Sequence, residues 1–378
     1  MSRKLITIST IMTLMSTSVI ADVPNVAADI APIHSLVSRV MDGVGAPKLI
    51  VQSGASPHGY RLRPSEAKAL QDADHVFWMG EELTPWLDSA IGTLASKASV
   101  TTLLDQQGVI LHDFREGALF EAHDHSAHGD DDHDDHDDHD DDKGHKDHDD
   151  HDDHDDHKDH DDHKDHADHK DHDDHDDHDD HKDHDDHDDH DDHKDHDDHD
   201  DHDDHDDHGS HDPHAWLSPE NAKLWLNIIA SKLSVSDPEN AATYFMNAAA
   251  GQAEIEAMIA EVKATLKPVQ GGKFVVFHDA YQYFENDFDF YASGAISLGD
   301  SSDPSPARIE KVQKRIRDEG IQCVLAEPQF KKGLVATVME GSDATASVID
   351  PLGAELETGP KLYTRLIKNM AKTLRNCL

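Results

Sequence analysis

The chain has 378 residues, a formal net charge of −48 and 35 histidines, and the charge is unevenly spread. The segment 123–208 holds 46 Asp and 7 Lys, so it supplies 39 of the negative charges and leaves an ordinary −9 for everything else. No basic face remains to meet a phosphate backbone, which speaks against nucleic acid as a partner, while the length outside that segment suffices for two lobes of usual size.

The N-terminus, "MSRKLITISTIMTLMSTSVIADV", sets Arg3 and Lys4 before an apolar run that ends in Val19-Ile20-Ala21. It reads as a secretory signal over 1–21, cleaved after Ala21, because the run is too short and interrupted for an uncleaved membrane anchor. No cysteine follows to carry a lipid, so the exported chain is expected to be soluble. "NVAADIAPIHSLVSRVMDGV" then reads as a strand and an amphipathic helix, with Ile33, Leu36, Val37 and Val40 at helical spacing. "KLIVQSG" is a second strand, followed by a Gly/Ser/Pro loop carrying His58 and a helix opened by Pro64 and Ser65. "HVFWMG", "LTPWLDSAIGTLA" and "SVTTLLD" continue as strand, helix and strand. Such alternation implies a mostly parallel sheet flanked by helices, an N-terminal α/β lobe over 22–122 that is completed by 211–236.

Beyond the acidic segment, "DPHAWLSPENAKLWLNIIASKL" places His214 just before a helix whose start is signalled by Ser218-Pro219-Glu220. Asp237 and Pro238 open a second helical stretch, 237–267, which at 1.5 Å per residue could reach roughly 45 Å and join two lobes as a strut. From 268 to 378 the alternation repeats: "KFVVFHD" strand, "AYQYFEND" helix, "FYASGAISL" strand, "SPARIEKVQKRIRDEG" helix, "QCVLAEP" strand, "KKGLVATVMEG" helix, "SVIDPLG" strand and a final helix from about Leu362. This is a C-terminal α/β lobe. Cys323 and Cys377 are the only cysteines, and in an exported chain a disulfide between them is the simplest reading, with two buried thiols as the alternative.

The segment 123–210 lacks core-forming residues and reads as a disordered insertion. Its 28 histidines between His123 and His208, beginning with His123, His125 and His128, exceed what a solvated acidic spacer needs. Imidazole suits zinc, copper and nickel, so the insertion is expected to capture metal at many interchangeable sites of modest affinity. A tight site needs ligands fixed on rigid elements. His58, His214 and His278 stand at loops beside predicted elements, two of them beyond strand ends, where open α/β sheets bind ligands. His34, His75 and His112 read as structural. His211 could join a secondary site with insertion histidines, and Glu327 could orient a ligand histidine or simply end a strand. Trp216, Tyr281 and Phe284 read as lobe packing or cleft walls.

At "GASPHGYRLRPSEAKALQDAD", "HAWLSPENA", "KFVVFHDAYQYFE", "LAEPQF" and "DPLG" the chain resembles the ZnuA family, the periplasmic zinc-binding proteins of ABC-type zinc uptake systems. The resemblance covers nearly all of the mature chain and includes an acidic His-rich insertion at this place. It implies a periplasmic, two-lobed solute-binding protein that holds Zn²⁺ as its solute by His58, His214 and His278 and passes it to a membrane ABC permease. Where some members have a glutamate before the first histidine, this chain has Pro57. The fourth ligand is then Asp350, which matches a carboxylate of related metal-binding proteins, or a water; capping the turn at Pro351 is the other reading of Asp350. His278 stands where related manganese-binding proteins have a carboxylate, which favours zinc over a hard cation. Ligation needs neutral imidazole, so affinity is expected to fall as pH drops through about 6.

Two other functions fit some of these residues. A periplasmic metal buffer would work mainly through the insertion. A zinc hydrolase would need a general base, for which only Glu285 or Glu327 offers itself, outside any HExxH pattern; no enzyme is expected. For the insertion, passing zinc to the cleft, sensing metal abundance and docking a periplasmic metallochaperone all remain open, and a monomer is expected.

Overall fold

The computed structural model describes residues 23–115, 120, 211–297, 304–329 and 332–378. The signal segment and the insertion histidines, His123, His125 and His128 among them, lie outside the described residues.

Two parallel four-stranded sheets organise the chain. The first is built by β1 (Val26–Ala28), α1 (Ala31–Val40), β2 (Lys48–Leu49), α2 (Pro64–Gln71), β3 (His75–Trp78), α3 (Pro85–Leu94) and β4 (Ser99–Thr102), in strand order β2-β1-β3-β4. After α4 (Pro219–Ser236) and α5 (Ala241–Leu266) come β5 (Phe274–His278), α6 (Gln282–Phe288), β6 (Ala295–Ser297), α7 (Pro306–Glu319), β7 (Cys323–Ala326), α8 (Lys332–Met339), β8 (Thr345–Val348) and α9 (Leu362–Cys377). Their sheet runs β6-β5-β7-β8, the same order as the first. Helices cover both faces of a parallel sheet, so its central strands are buried throughout, as every residue of β1, β3 and β5 is. That is why they are apolar apart from a histidine at one end of β3 and of β5.

The edge strands are shorter than the sequence suggests. β2 keeps two residues of "KLIVQSG" and β6 three of "FYASGAISL", whereas the edge strands β4 and β8 keep four each. α5 begins at Ala241 rather than Asp237. The Asp237 carboxylate instead holds the turn before it, accepting from the Asn240 amide side chain at 2.8 Å and from the Tyr244 hydroxyl at 2.7 Å. The remaining 26 residues span roughly 39 Å at 1.5 Å each. α5 packs against α1, α4 and α9, and it turns Tyr244, Ala248, Ile255, Met258, Val262 and Leu266 into one core with residues of both sheets. Gly251 is where α4 comes closest: a Cβ there would stand 2.9 Å from the Leu226 side chain. Each fully buried Leu or Phe of this core, such as Leu226 or Phe77, stabilises the fold by about 1.5–3 kcal/mol.

Polar ties join the halves as well. The Ser35 hydroxyl of α1 donates to the Gly359 carbonyl at 2.7 Å and accepts from the Tyr363 amide at 3.0 Å. The Trp216 indole donates to the Pro351 carbonyl at 2.8 Å. Trp216, Tyr281 and Phe284 are all buried, the packing role expected of them. Cys323 and Cys377 form a disulfide that fastens the end of α9 to the start of β7. No helix among the described residues is long and apolar enough to cross a membrane.

Candidate metal centre

His278 is the last residue of β5, and the strand register explains its partner. β5 pairs in parallel with β7 at Phe274↔Cys323 and Val276↔Leu325, an offset that brings His278 level with Glu327 just beyond β7. The His278 Nδ1 lies 2.5 Å from Glu327 Oε1, and both side chains are buried. Glu327 Oε2 accepts from the Gln329 amide at 2.8 Å. The sequence offered this orienting role for Glu327 as one of two readings, and the geometry supplies it.

His214 precedes a single 3₁₀ turn, Ala215–Leu217, and α4 follows with Ser218 as its cap, the Ser218 hydroxyl accepting from the Asn221 amide at 3.3 Å. Asp212 folds back on His214: its Oδ1 accepts from the His214 amide at 3.0 Å and lies 2.6 Å from His214 Nδ1. Thus each ring has a carboxylate at Nδ1, an arrangement that favours the proton there and makes Nε2 the acceptor nitrogen. The two Nε2 atoms face each other at 3.4 Å. Two lone pairs at that distance repel unless a cation sits between them. A tetrahedral zinc with Zn–N bonds of about 2.0–2.1 Å sets its ligand nitrogens about 3.3–3.4 Å apart, so the spacing is that of two imidazoles sharing one ion.

The His58 ring also lies near His214, with ring centroids 5.6 Å apart, against 5.2 Å between His214 and His278. Its loop is held from below. The Trp86 indole donates to the Pro57 carbonyl at 2.6 Å, and Glu66 accepts from the Tyr60 hydroxyl at 2.8 Å and the Arg63 amide at 2.7 Å. Among the described residues no three His, Cys, Asp or Glu side chains already stand together as a finished metal site. His214 and His278 meet at Nε2, and the His58 ring neighbours His214.

Asp350 is placed differently. Its Oδ1 accepts from the amides of Leu352 and Gly353 at 3.0 and 2.8 Å, and its Oδ2 from Ala354 at 2.5 Å. This is the turn-capping reading, and Gly353 sits in it at φ 73°, where a side chain would be strained. His211 pairs with Asp113: Nδ1 lies 2.8 Å from Asp113 Oδ1, and the two residues form an antiparallel bridge. His34 and His75 serve the fold. His34 Nε2 lies 3.2 Å from the Pro47 carbonyl and His75 Nε2 2.7 Å from the Ser236 hydroxyl, and burial lowers both pKa values. The His112 ring lies against Tyr283, with centroids 4.7 Å apart.

The sequence reading missed Asp212, Arg115 and Asp279. The chain arriving at 115 and the chain resuming at 211 are tied together. The Asp212 amide donates to the His112 carbonyl at 2.7 Å, while the Tyr283 hydroxyl donates to the Asp212 carbonyl at 2.7 Å and accepts from the His112 amide at 3.1 Å. From this tie Arg115 reaches two carboxylates. Its Nε donates to both oxygens of Asp279 at 3.0 Å and its Nη1 to Glu285 Oε2 at 2.6 Å, with the Phe120 ring 3.6 Å from Cζ. Burial disfavours the guanidinium charge, but Asp279 and Glu285 more than offset this and hold Arg115 above its usual range. Burial pushes both carboxyls up, against the pull of Arg115. Glu285 is thus paired with the Arg115 guanidinium and Glu327 with the His278 imidazole. Only "DPH", an Asp two residues before a candidate ligand, could have flagged Asp212; the Arg115 pairs reach across more than 160 residues.

Known proteins resemble this chain over most of its length. The family described as "Zinc-uptake complex component A periplasmic", ZnuA, matches residues 26–377. A "High-affinity zinc uptake system protein ZnuA" of Brucella abortus (strain 2308) is 44% identical over 353 residues, covering 93% of this chain and 91% of the relative. The protein of the same name from Paracoccus denitrificans is 40% identical over 359 residues, 95% of this chain and 93% of the relative. Among solved structures, a crystal structure of ZnuA superposes with a TM-score of 0.62 at 18% identity, covering 94% of this chain and 99% of the other. The SBP FpvC from Pseudomonas aeruginosa in complex with Mn²⁺ reaches 0.63 at 16%, covering 94% and 98%, and at such identity the likeness speaks for the fold. Because the family match runs from β1 to the last residue of α9 and the Brucella and Paracoccus relatives align over nearly their whole length, this chain belongs to the ZnuA family of periplasmic zinc-uptake components.

Proposed function

We propose that this protein is the extracytoplasmic zinc receptor of an ABC-type uptake system, exported by residues 1–21 with cleavage after Ala21, and that it works as a monomer. The observation that carries the reading is the pair of carboxylate-backed imidazoles, His214 and His278, with Nε2 atoms 3.4 Å apart. Zn²⁺ enters between them, and His58 closes on it from its loop between β2 and α2 as the third nitrogen ligand. Three backbone donors already meet the Asp350 carboxylate, so the fourth position falls to a water. Such an exposed position suits a carrier, which must release its ion to the permease. The insertion gathers metal at lower affinity, and a periplasmic metallochaperone is its natural partner.

Deleting 123–208 tests the division of labour. The neck residues His112 and Asp212 are already hydrogen-bonded at 2.7 Å, so a short linker can close the gap. Titration against a competing chelator is expected to retain one tight zinc equivalent and lose the weaker ones. Loss of the tight equivalent as well, in a deleted chain that melts as a folded protein, would make the insertion the working part and the molecule a buffer.

A further inference from the structure

His214 and His278 are the metal-facing groups, yet the residue directly after His278 is a carboxylate. Asp279 is buried just beyond the end of β5, where the Ala280 amide turns back onto the His278 carbonyl at 3.0 Å. Carboxylate oxygen is the donor that Mn²⁺, Mg²⁺ and Ca²⁺ prefer, whereas imidazole favours zinc and its neighbours. A free Asp279 beside the pair would therefore offer an oxygen ligand to a hard cation. Arg115 prevents this. Its planar fork takes both oxygens of Asp279 through Nε and Nη2, and both oxygens of Glu285 through Nη1 and Nη2. A lysine could not do this, since an ammonium is a point charge without a fork. Phe120 covers the guanidinium at 3.6 Å and restricts the exit of the arginine on that side.

We propose that Arg115 is a specificity-determining positioning residue, which keeps the first coordination sphere imidazole-rich by holding Asp279 away from the ion bound at His214 and His278. The inference rests on the zinc-receptor reading above. It explains why a cation is stationed beside a site for a cation, an arrangement that by charge alone weakens metal binding. The cost in affinity is exchanged for selectivity. The lever is attached to the neck of the insertion, three residues beyond His112.

The ratio of affinities isolates this role from the two simpler ones. Loss of a positive charge near the site raises the affinity for every divalent ion alike, and a merely structural defect lowers it for every ion alike. Entry of a carboxylate oxygen changes the ratio between ions. The experiment measures the tight equivalent of the full-length chain for Zn²⁺ and for Mn²⁺ in metal buffers, at free concentrations too low to load the insertion, in the wild type, Arg115→Met and Arg115→Met/Asp279→Asn. Arg115→Met is expected to lower the Zn²⁺/Mn²⁺ affinity ratio by about tenfold or more, and the added Asp279→Asn to restore it. The visible spectrum of the Co²⁺ form should weaken in Arg115→Met, as a four-coordinate ion gains a ligand, and recover in the double variant. An unchanged ratio in folded Arg115→Met overturns the proposal, as does a shifted ratio that Asp279→Asn leaves shifted. Should Arg115→Met fail to fold, Arg115→Lys decides: it keeps the charge without the fork, and a ratio equal to wild type overturns the proposal. If the wild type itself shows no tight zinc equivalent, the receptor reading fails first, and that result is distinct from either outcome here.

Discussion

Replacing His278 by alanine is expected to remove the tight zinc equivalent, with a fall in affinity well beyond the about 10- to 100-fold typical of losing an outer-sphere partner. The reason lies in the strand. β5 is buried along its whole length, and its last residue is fixed by the register that also brings Glu327 alongside. No neighbouring side chain can replace an imidazole delivered this way. Glu327→Gln keeps the size of the orienting group and its contact with Nδ1 but removes the charge, so it should show the smaller loss. Chelator competition separates the two, and the insertion histidines, being weaker, do not mask the difference. If Glu327→Gln proved as damaging as His278→Ala, the carboxylate rather than the imidazole would be the ligand.

Removing the disulfide, by Cys323→Ser with Cys377→Ser, is expected to cost about 4 kcal/mol of stability. A bridge spanning 54 residues restricts the unfolded chain by about that amount in the loop-entropy view, within the usual range of about 2–4 kcal/mol. For a folded body of this size the melting temperature should fall by about 10 °C. Zinc affinity should change little in the folded state. Cys323 opens β7 and Glu327 follows its other end, about 13 Å away at strand spacing. Thermal unfolding with and without zinc checks both statements; an affinity loss as large as that of His278→Ala would mean that the bridge shapes the site itself.

Much of this architecture was legible in the sequence because parallel strands buried on both faces leave a plain trace. "KFVVFHD" and "HVFWMG" carry the apolar runs FVVF and VFWM, and they give the central strands β5 and β3. The edge strands β2 and β6 were overdrawn, since propensity continues after the partner strand ends. The start of α5 was set too early because Pro238 resembles a helix opener; the Asp237 turn that delays it depends on Asn240 and Tyr244 acting together. At the site, each of the three histidines stood in a recognisable local motif. What surrounds them did not. Arg115, Asp279 and Glu285 meet across separations of 164 and 170 residues, and nothing local distinguishes Arg115 from a solvated arginine. Asp350 shows the converse: "DPLG" marks a carboxylate at a turn, and the same pattern serves capping and ligation.

The central claim is that one fixed trio, rather than the insertion, holds the transported ion. Anomalous diffraction at the zinc edge, on crystals of the chain loaded with a single equivalent, tests it most directly. One strong peak is expected about 2.0–2.1 Å from Nε2 of His214 and His278, with a ring nitrogen of His58 drawn in to the same distance. A peak at Asp113 and His211, or none within the folded body, would contradict it.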